Sequence, residues 1–255
     1  MCLLMPSWLT PDWPVPVNVG SAFTTRSGGV SYAPYNSNNL GLHVDDDPAA
    51  VKTNRQTLMS DLDLGQSPLW LDQCHGTDVI YIPDALHCPR ADASYTDQVG
   101  QASVVLTADC LPVLFCNRQG TQVAAAHAGW RGLCNGILRK TVARFELAED
   151  VIACLGPAIG PQAFEVGAEV LQAFVEHSQG AAQTVQIEQA FKPLGSGKYL
   201  ADLYALARAD LTSCGVAQIY GGDYCTFSDS ERFYSYRREA RTGRQASLIW
   251  LKSAP

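Results

Sequence analysis

TADCLPVLFCNRQGTQVAAAHAGWRG, residues 107–132, decides how the rest of the chain is read. Leu111 to Cys116 and Thr121 to Ala126 are apolar, β-rich runs that flank Asn117, Arg118, Gln119 and Gly120, a polar turn closed by glycine. The pattern predicts two antiparallel strands. With a loop of two or four residues, Asn117 opposes Gly120 and Cys116 opposes Thr121, and the ladder runs down to Cys110 opposite His127. Directly opposed residues have Cβ atoms roughly 4.5–5.5 Å apart, close enough for a thiolate and an imidazole to share a metal ion or a proton. An odd loop would shift the pairing by one and spoil this. Pro112 cannot donate to the ladder, which makes this end of the pair irregular.

Around that hairpin, 255 residues with 47% hydrophobic content suffice for a full core in a single domain, residues 1–255. The net charge of −7 comes from scattered acids with no Lys/Arg run, so the chain offers no basic face to nucleic acid or to a membrane surface. A small molecule is the expected partner. Met1 to Leu9 is apolar but lacks a positive leader, contains Pro6 and runs into the segment Pro11 to Pro16, so it fails as a signal peptide. No stretch approaches the roughly 18 apolar residues that a membrane helix needs. Nine cysteines without a CxxC pair read as reduced, mostly buried thiols of a cytoplasmic protein. No feature forces a dimer.

Further strands are expected at Val19 to Thr25, Leu69 to Gln73, Val79 to Ile82, Ala102 to Leu106, Val151 to Leu155, Gln218 to Gly221, Phe233 to Tyr236 and Ala246 to Trp250. Four segments carry helical period instead. One begins near Asp47 with Pro48 in its first turn and turns Val51, Leu58 and Leu62 to the core. A second follows Gly132 and buries Leu133, Ile137, Leu138, Val142 and Phe145. A third runs from Gln162 to His177 and a fourth from Tyr199 to Ser213, stopping at Gly215. Mixed strands and helices define an α/β or α+β class with mixed sheets, and the strand count calls for two sheets with helices outside.

His75, in DQCHGTDV, occupies a loop at a strand end and joins Cys110 and His127 as a third candidate. Two imidazoles and a thiolate match a catalytic zinc site, which keeps a fourth position for water or substrate. The same donors suit type-1 copper, but that site adds an axial methionine, and the methionines are Met1, Met5 and Met59. A multi-copper oxidase would need many more than the five histidines present. The metal-free alternative makes Cys110 a nucleophile and His127 its base, with Asp109 or another carboxylate as orienter. Arg26, in FTTRSGGVS, sits beside glycines whose N–H groups could cradle phosphate. Arg131, in GWRG, sits where a strand passes into a helix, so its guanidinium and the helix N-terminus could face one anion. His43 precedes an acidic cluster read as a helix cap, His87 and His177 read as surface residues, and Arg237, Arg238 and Arg241 read as a rim or a solvated loop.

FTTRSGGVS, NLGLHVDDDPAAVKTNR, QCHGTDV, ADASYT, TADCLPVLF, AHAGWRG, GPAIGPQAFEVG, YLADL and FYSYRREARTGRQASLIWL, in this order and across nearly the whole chain, resemble the YfiH/YlmD family. The resemblance implies a four-layer α/β/β/α sandwich, related to the catalytic domain of cytotoxic necrotizing factor, with metal ligands at His75, Cys110 and His127. It also implies a zinc-containing purine nucleoside phosphorylase with adenosine deaminase and methylthioadenosine phosphorylase activities. Older family labels are multi-copper polyphenol oxidoreductase or laccase and peptidoglycan editing factor. On this reading a nucleoside binds over zinc, and Arg26, Arg131 or both hold phosphate. Glu165 or Asp109 would shuttle protons in a deamination. The rivals are a copper-linked polyphenol oxidase and a Cys110/His127 hydrolase of a peptidoglycan precursor. The chain departs from the common pattern at Cys74, expected to point away from the site by strand alternation, and at Gln162, Ala163 and Phe164.

Overall fold

The structure, a computed structural model, describes residues 6–253; the start of the apolar Met1 to Leu9 segment, with Met1, Cys2 and Met5, lies outside the described residues. In chain order the elements begin with β1 (Trp8–Leu9), β2 (Val19–Thr24), α1 (Pro48–Asp61), β3 (Val79–Tyr81), β4 (Ala93–Thr96), β5 (Ala102–Thr107), β6 (Leu111–Asn117) and β7 (Val123–Ala128). They continue with α2 (Trp130–Cys134), α3 (Ile137–Val142), β8 (Val151–Leu155), β9 (Glu165–Gly167), α4 (Ala168–Glu176) and α5 (Ala181–Gln189). The chain closes with β10 (Phe191–Gly195), β11 (Lys198–Ala201), α6 (Leu203–Ser213), β12 (Gln218–Gly221) and β13 (Gln245–Leu251). No helix among the described residues is long and apolar enough to cross a membrane.

Strand alternation builds the layers. On β6, Leu111, Val113 and Phe115 face one way and Leu114 and Cys116 the other, and all five are fully buried. The first set packs with Leu133, Ile137 and Leu138 of α2 and α3 and with Leu206 and Leu211 of α6. The second set meets Phe23 of β2, Val105 of β5 and Ile249 of β13 across the space between two sheets. The outer face of that opposing sheet, with Ala22, Val104 and Leu248, is covered by Leu58 and by Leu62 beside α1. Helices, sheet, sheet and helix therefore stack in four layers, the α/β/β/α sandwich expected.

The first sheet has the order β1-β2-β13-β5 and is antiparallel throughout. The second has the order β12-β8-β6-β7-β4-β3, parallel at its two ends and antiparallel in its middle. A small antiparallel sheet, β10-β11-β9, stands apart from both. This placement puts the β6–β7 hairpin at the centre of the larger sheet.

The hairpin forms, but two residues out of the expected register. Leu111 pairs with Ala128, and Pro112, not Cys110, lies opposite His127. The turn is longer by two residues on its far side, with Cys116 opposite Val123 and not Thr121. Asn117 Oδ1 accepts from the N–H groups of Thr121 (2.9 Å) and Gln122 (3.1 Å), which holds Thr121 in the loop instead of the strand. Gly120 has φ 65°, the left-handed conformation that the turn requires. The loop remains even, so side-chain parity survives, and Cys110 and His127 come together diagonally on one face.

Other expectations are corrected by side chains that replace backbone. Leu69 to Gln73 makes only isolated bridges, at Leu69 and Asp72. The Gln73 amide pairs with the backbone of Leu106, donating to its carbonyl (2.8 Å) and accepting from its N–H (2.7 Å). Phe233 to Tyr236 is likewise irregular and not a strand, with the Gln245 amide bonded to both backbone groups of Tyr234. The second helix is broken into α2 and α3 at Gly136, φ 90°. The third starts at Ala168 after a short strand, and the fourth at Leu203, where Asp202 caps the N–H groups of Tyr204 and Ala205. Sequence reading did not find β1, β4, α5, β9, β10 or β11. Replacing Phe115 by alanine should lower the free energy of unfolding by about 3–5 kcal/mol in urea titration, because its ring is wholly enclosed between β6 and the helices.

Candidate metal centre

Asp92, the residue before β4, has a fully buried side chain, and each of its oxygens has defined work. Oδ1 accepts from the backbone N–H of His75 (2.9 Å) and lies 2.8 Å from His127 Nδ1. Oδ2 accepts from the N–H groups of Cys74 (3.2 Å) and Gly76 (2.7 Å) and from the Cys74 thiol (3.3 Å). Three successive N–H groups converge on one carboxylate, an anion-binding nest formed because His75 adopts φ 59°. Cys74 is therefore turned towards the carboxylate, contrary to the expectation from strand alternation; its segment is not a strand.

Burial alone would raise the Asp92 carboxyl, but His127 and the Gly76 N–H outweigh it and hold it well below the usual carboxylate range. An ionised carboxylate only accepts, so it keeps a proton on His127 Nδ1 and turns Nε2 towards the site. Burial likewise opposes the Cys110 thiolate, yet the adjacent His127 and His75 imidazoles bring the thiol down to about 6. Desolvation pushes His127 down, and Cys110 with Asp92 more than offsets this, raising it to about 9.

One nitrogen from each imidazole and the Cys110 sulfur lie within 4.8 Å of one another, the one such group of three His/Cys/Asp/Glu donors among the described residues. Cys110 Sγ is 3.7 Å from His75 Nε2, and the two imidazole rings meet edge to face with centroids 4.8 Å apart. Tetrahedral zinc, with bonds of roughly 2.0–2.3 Å, wants ligand atoms separated by roughly 3.3–3.8 Å, so the donor set fits with little movement. Gly129 makes the approach possible. A Cβ there would stand 2.8 Å from the His75 ring and 3.0 Å from Cys110 Sγ. Met59, the methionine of the copper alternative within the described residues, packs with the α1 side of the first sheet, among the residues over that outer face.

A cavity of about 390 Å³ opens over the three residues, with Thr107, His43, Tyr236 and Arg244 on its other walls. The remaining sequence candidates do not line it. Asp109 faces away: its carboxylate accepts from Thr226 Oγ1 (2.6 Å) and from the Arg237 N–H (2.6 Å). Glu165 is exposed on β9 and pairs with Lys198. Arg26 donates to the carbonyls of Asn36 and Ser230 and lines a separate cavity. Arg131 lies over the Trp130 ring at 4.2 Å. Sequence reading does not find Asp92 as a site residue: it lies 17 and 35 positions from His75 and His127, so no local spacing links it to them. Arg244 is masked in the sequence by three other arginines that precede it in the same segment, Arg237, Arg238 and Arg241.

The sequence and fold match a known group. The family model of the multi-copper polyphenol oxidoreductase laccases covers residues 20–252, and the chain belongs to that family. A purine nucleoside phosphorylase of Pseudomonas aeruginosa is 53% identical over 250 residues, 97% of this chain and 100% of that protein. Purine nucleoside phosphorylase YfiH of Escherichia coli is 51% identical over 249 residues, again 97% and 100%. The crystal structure of Neisseria meningitidis protein NMB0706 superposes with a TM-score of 0.91 at 49% identity over 97% of this chain and 100% of that one. YlmD of Geobacillus stearothermophilus gives 0.88 at 29% identity over 97% of each chain.

Replacing Asp92 by asparagine should weaken metal binding about 10–100-fold in chelator competition, with the circular dichroism of the fold retained, because the His127 tautomer and the His75 turn both depend on the carboxylate. Unchanged affinity would separate Asp92 from the centre.

Proposed function

We propose that the protein is a zinc-dependent purine nucleoside phosphorylase acting on adenosine or inosine. The observation that carries this is a paired set of imidazoles and a thiolate, backed by a buried carboxylate, on the floor of a cavity of about 390 Å³, in the range of small-ligand sites. The identity with purine nucleoside phosphorylases of full matching length supports the same reading.

His75, Cys110 and His127 would hold the ion, which when bound supplies Lewis-acid charge for the electron pair released on the departing base. The protein's own groups do the rest. Asp92 keeps His127 in one tautomer and, through three N–H groups, keeps the His75 turn in place. Tyr236, about half exposed at the cavity wall, offers an aromatic face to a purine. His43 is lowered by desolvation and by the charge of Arg244, so it stands neutral at pH 7 and can both donate and accept a hydrogen bond.

Phosphorolysis is favoured over deamination because, among the described residues, no carboxylate lines the cavity to carry protons between water and the purine. It is favoured over a multi-copper oxidase because a single three-donor cluster is found among the described residues. The metal-loaded protein should release hypoxanthine from inosine when phosphate is present and not when it is withheld. Chelation, or Cys110→Ser, should lower that rate by about a hundredfold or more, since losing a ligand exceeds losing an outer partner. Base release independent of phosphate, or activity that survives chelation, would contradict the reading.

A further inference from the structure

The cavity over the metal centre contains one cation outside the three donors among the described residues, Arg244, the residue before β13. Its main chain is fastened at both groups: the N–H donates to Asn39 Oδ1 (2.9 Å) and the carbonyl accepts from Leu40 (3.1 Å). Its side-chain stem runs past Gly41, where a Cβ would come within 2.9 Å of Arg244 Cγ. Nη1 donates to the carbonyls of Thr242 (3.1 Å) and Gly243 (3.0 Å). A guanidinium held this firmly is pre-organised for a planar, two-point contact.

That guanidinium has no carboxylate within ion-pair distance among the described residues, although a cation removed from water ordinarily acquires one. Asp109, the nearby acid that could supply it, is committed to Thr226 and Arg237. Desolvation accordingly pushes Arg244 down, partly offset by Cys110 and Asp109. A second observation points the same way. Thr107, on another wall of the cavity, is 2% exposed, and its Oγ1 is buried with no hydrogen-bond partner. An unpaired cation lining the cavity and an unpaired hydroxyl buried in its wall, beside two imidazoles, call for an oxyanion with several acceptor oxygens.

We infer that Arg244 and Thr107 form the seat of the inorganic phosphate co-substrate, beside the His75–Cys110–His127 centre, and that Arg26 and Arg131 do not hold it. The assignment rests on the phosphorolysis reading. In that reaction a phosphate oxygen forms the bond to the anomeric carbon of the nucleoside as the glycosidic C–N bond breaks. The electron pair leaves with the base, and the proton that hydrogen phosphate carried ends on it. The charge of Arg244 serves to hold the dianion within reach of the sugar, a positioning task made before any bond changes.

The test uses the metal-loaded enzyme with inosine and inorganic phosphate. Arg244→Gln should raise the KM for phosphate about 10–100-fold, the worth of a charge-assisted hydrogen bond, while the KM for inosine stays within about twofold. Arg244→Lys should recover part of the loss, and Thr107→Val should raise the phosphate KM in the same direction. Arg26→Gln and Arg131→Gln should leave it unchanged. A phosphate KM that moves with Arg26 or Arg131 and not with Arg244 overturns the assignment. Calorimetry separates this from the parent reading. If the wild-type protein turns over no nucleoside yet binds inorganic phosphate, and Arg244→Gln abolishes that binding, phosphorolysis fails and the anion site stands. If a nucleoside 5′-monophosphate, and not inorganic phosphate, is what Arg244→Gln ceases to bind, the seat belongs to a nucleotide and the assignment fails.

Discussion

A buried carboxylate with five polar contacts from four residues organises this molecule's chemistry. Asp92 joins three pieces of chain that sequence keeps apart: the turn at Cys74 to Gly76, the end of β7 at His127, and the start of β4. An ionised carboxylate inside protein costs several kcal/mol unless its lone pairs are used. Here the backbone N–H groups and the imidazole use them, so the same contacts that stabilise the charge also aim two ligand histidines at Cys110. Structure and reactivity are coupled through one side chain.

The surrounding architecture makes that coupling rigid. The β6–β7 hairpin lies in the middle of a six-stranded sheet, packed by helices on one face and by the second sheet on the other. Ligands mounted there inherit the stiffness of the core, whereas His75 arrives on a turn whose position depends on Asp92. Gly129 leaves room for His75 to reach Cys110. The cavity that opens above is walled by residues from the other sheet and its connections, Thr107, Tyr236 and Arg244, so the floor and the walls come from different layers.

How much of this was legible in the sequence follows from the range of each interaction. The hairpin was visible because apolar runs and a glycine turn are local signals, and its even loop preserved the meeting of Cys110 and His127 on one face. Its register was not, because Thr121 looks like a strand residue and only the Asn117 side chain holds it in the turn. Gln73 and Gln245 deceived in the same manner: their amides stand in for strand pairing, so Leu69 to Gln73 and Phe233 to Tyr236 carry strand-like composition without being strands. The β10–β11 hairpin was announced by Gly195, Ser196 and Gly197, all with positive φ, but its exposed residues lack an apolar alternation to confirm it. Arg26 and Arg131 had the right chemistry in suggestive loops. Nothing local tells which arginine the fold delivers to the cavity, and Arg244 reaches it through contacts with residues some two hundred positions away.

The central claim is that two imidazoles and one thiolate, set by Asp92, form a single metal centre. X-ray absorption at the zinc edge of the protein purified with its metal tests this most directly. The account predicts about one equivalent of zinc with one sulfur scatterer near 2.3 Å and nitrogen or oxygen scatterers near 2.0–2.1 Å, two of them carrying the outer-shell signature of imidazole. A shell without sulfur, or a metal content that is the same in Cys110→Ser as in the wild type, would contradict it.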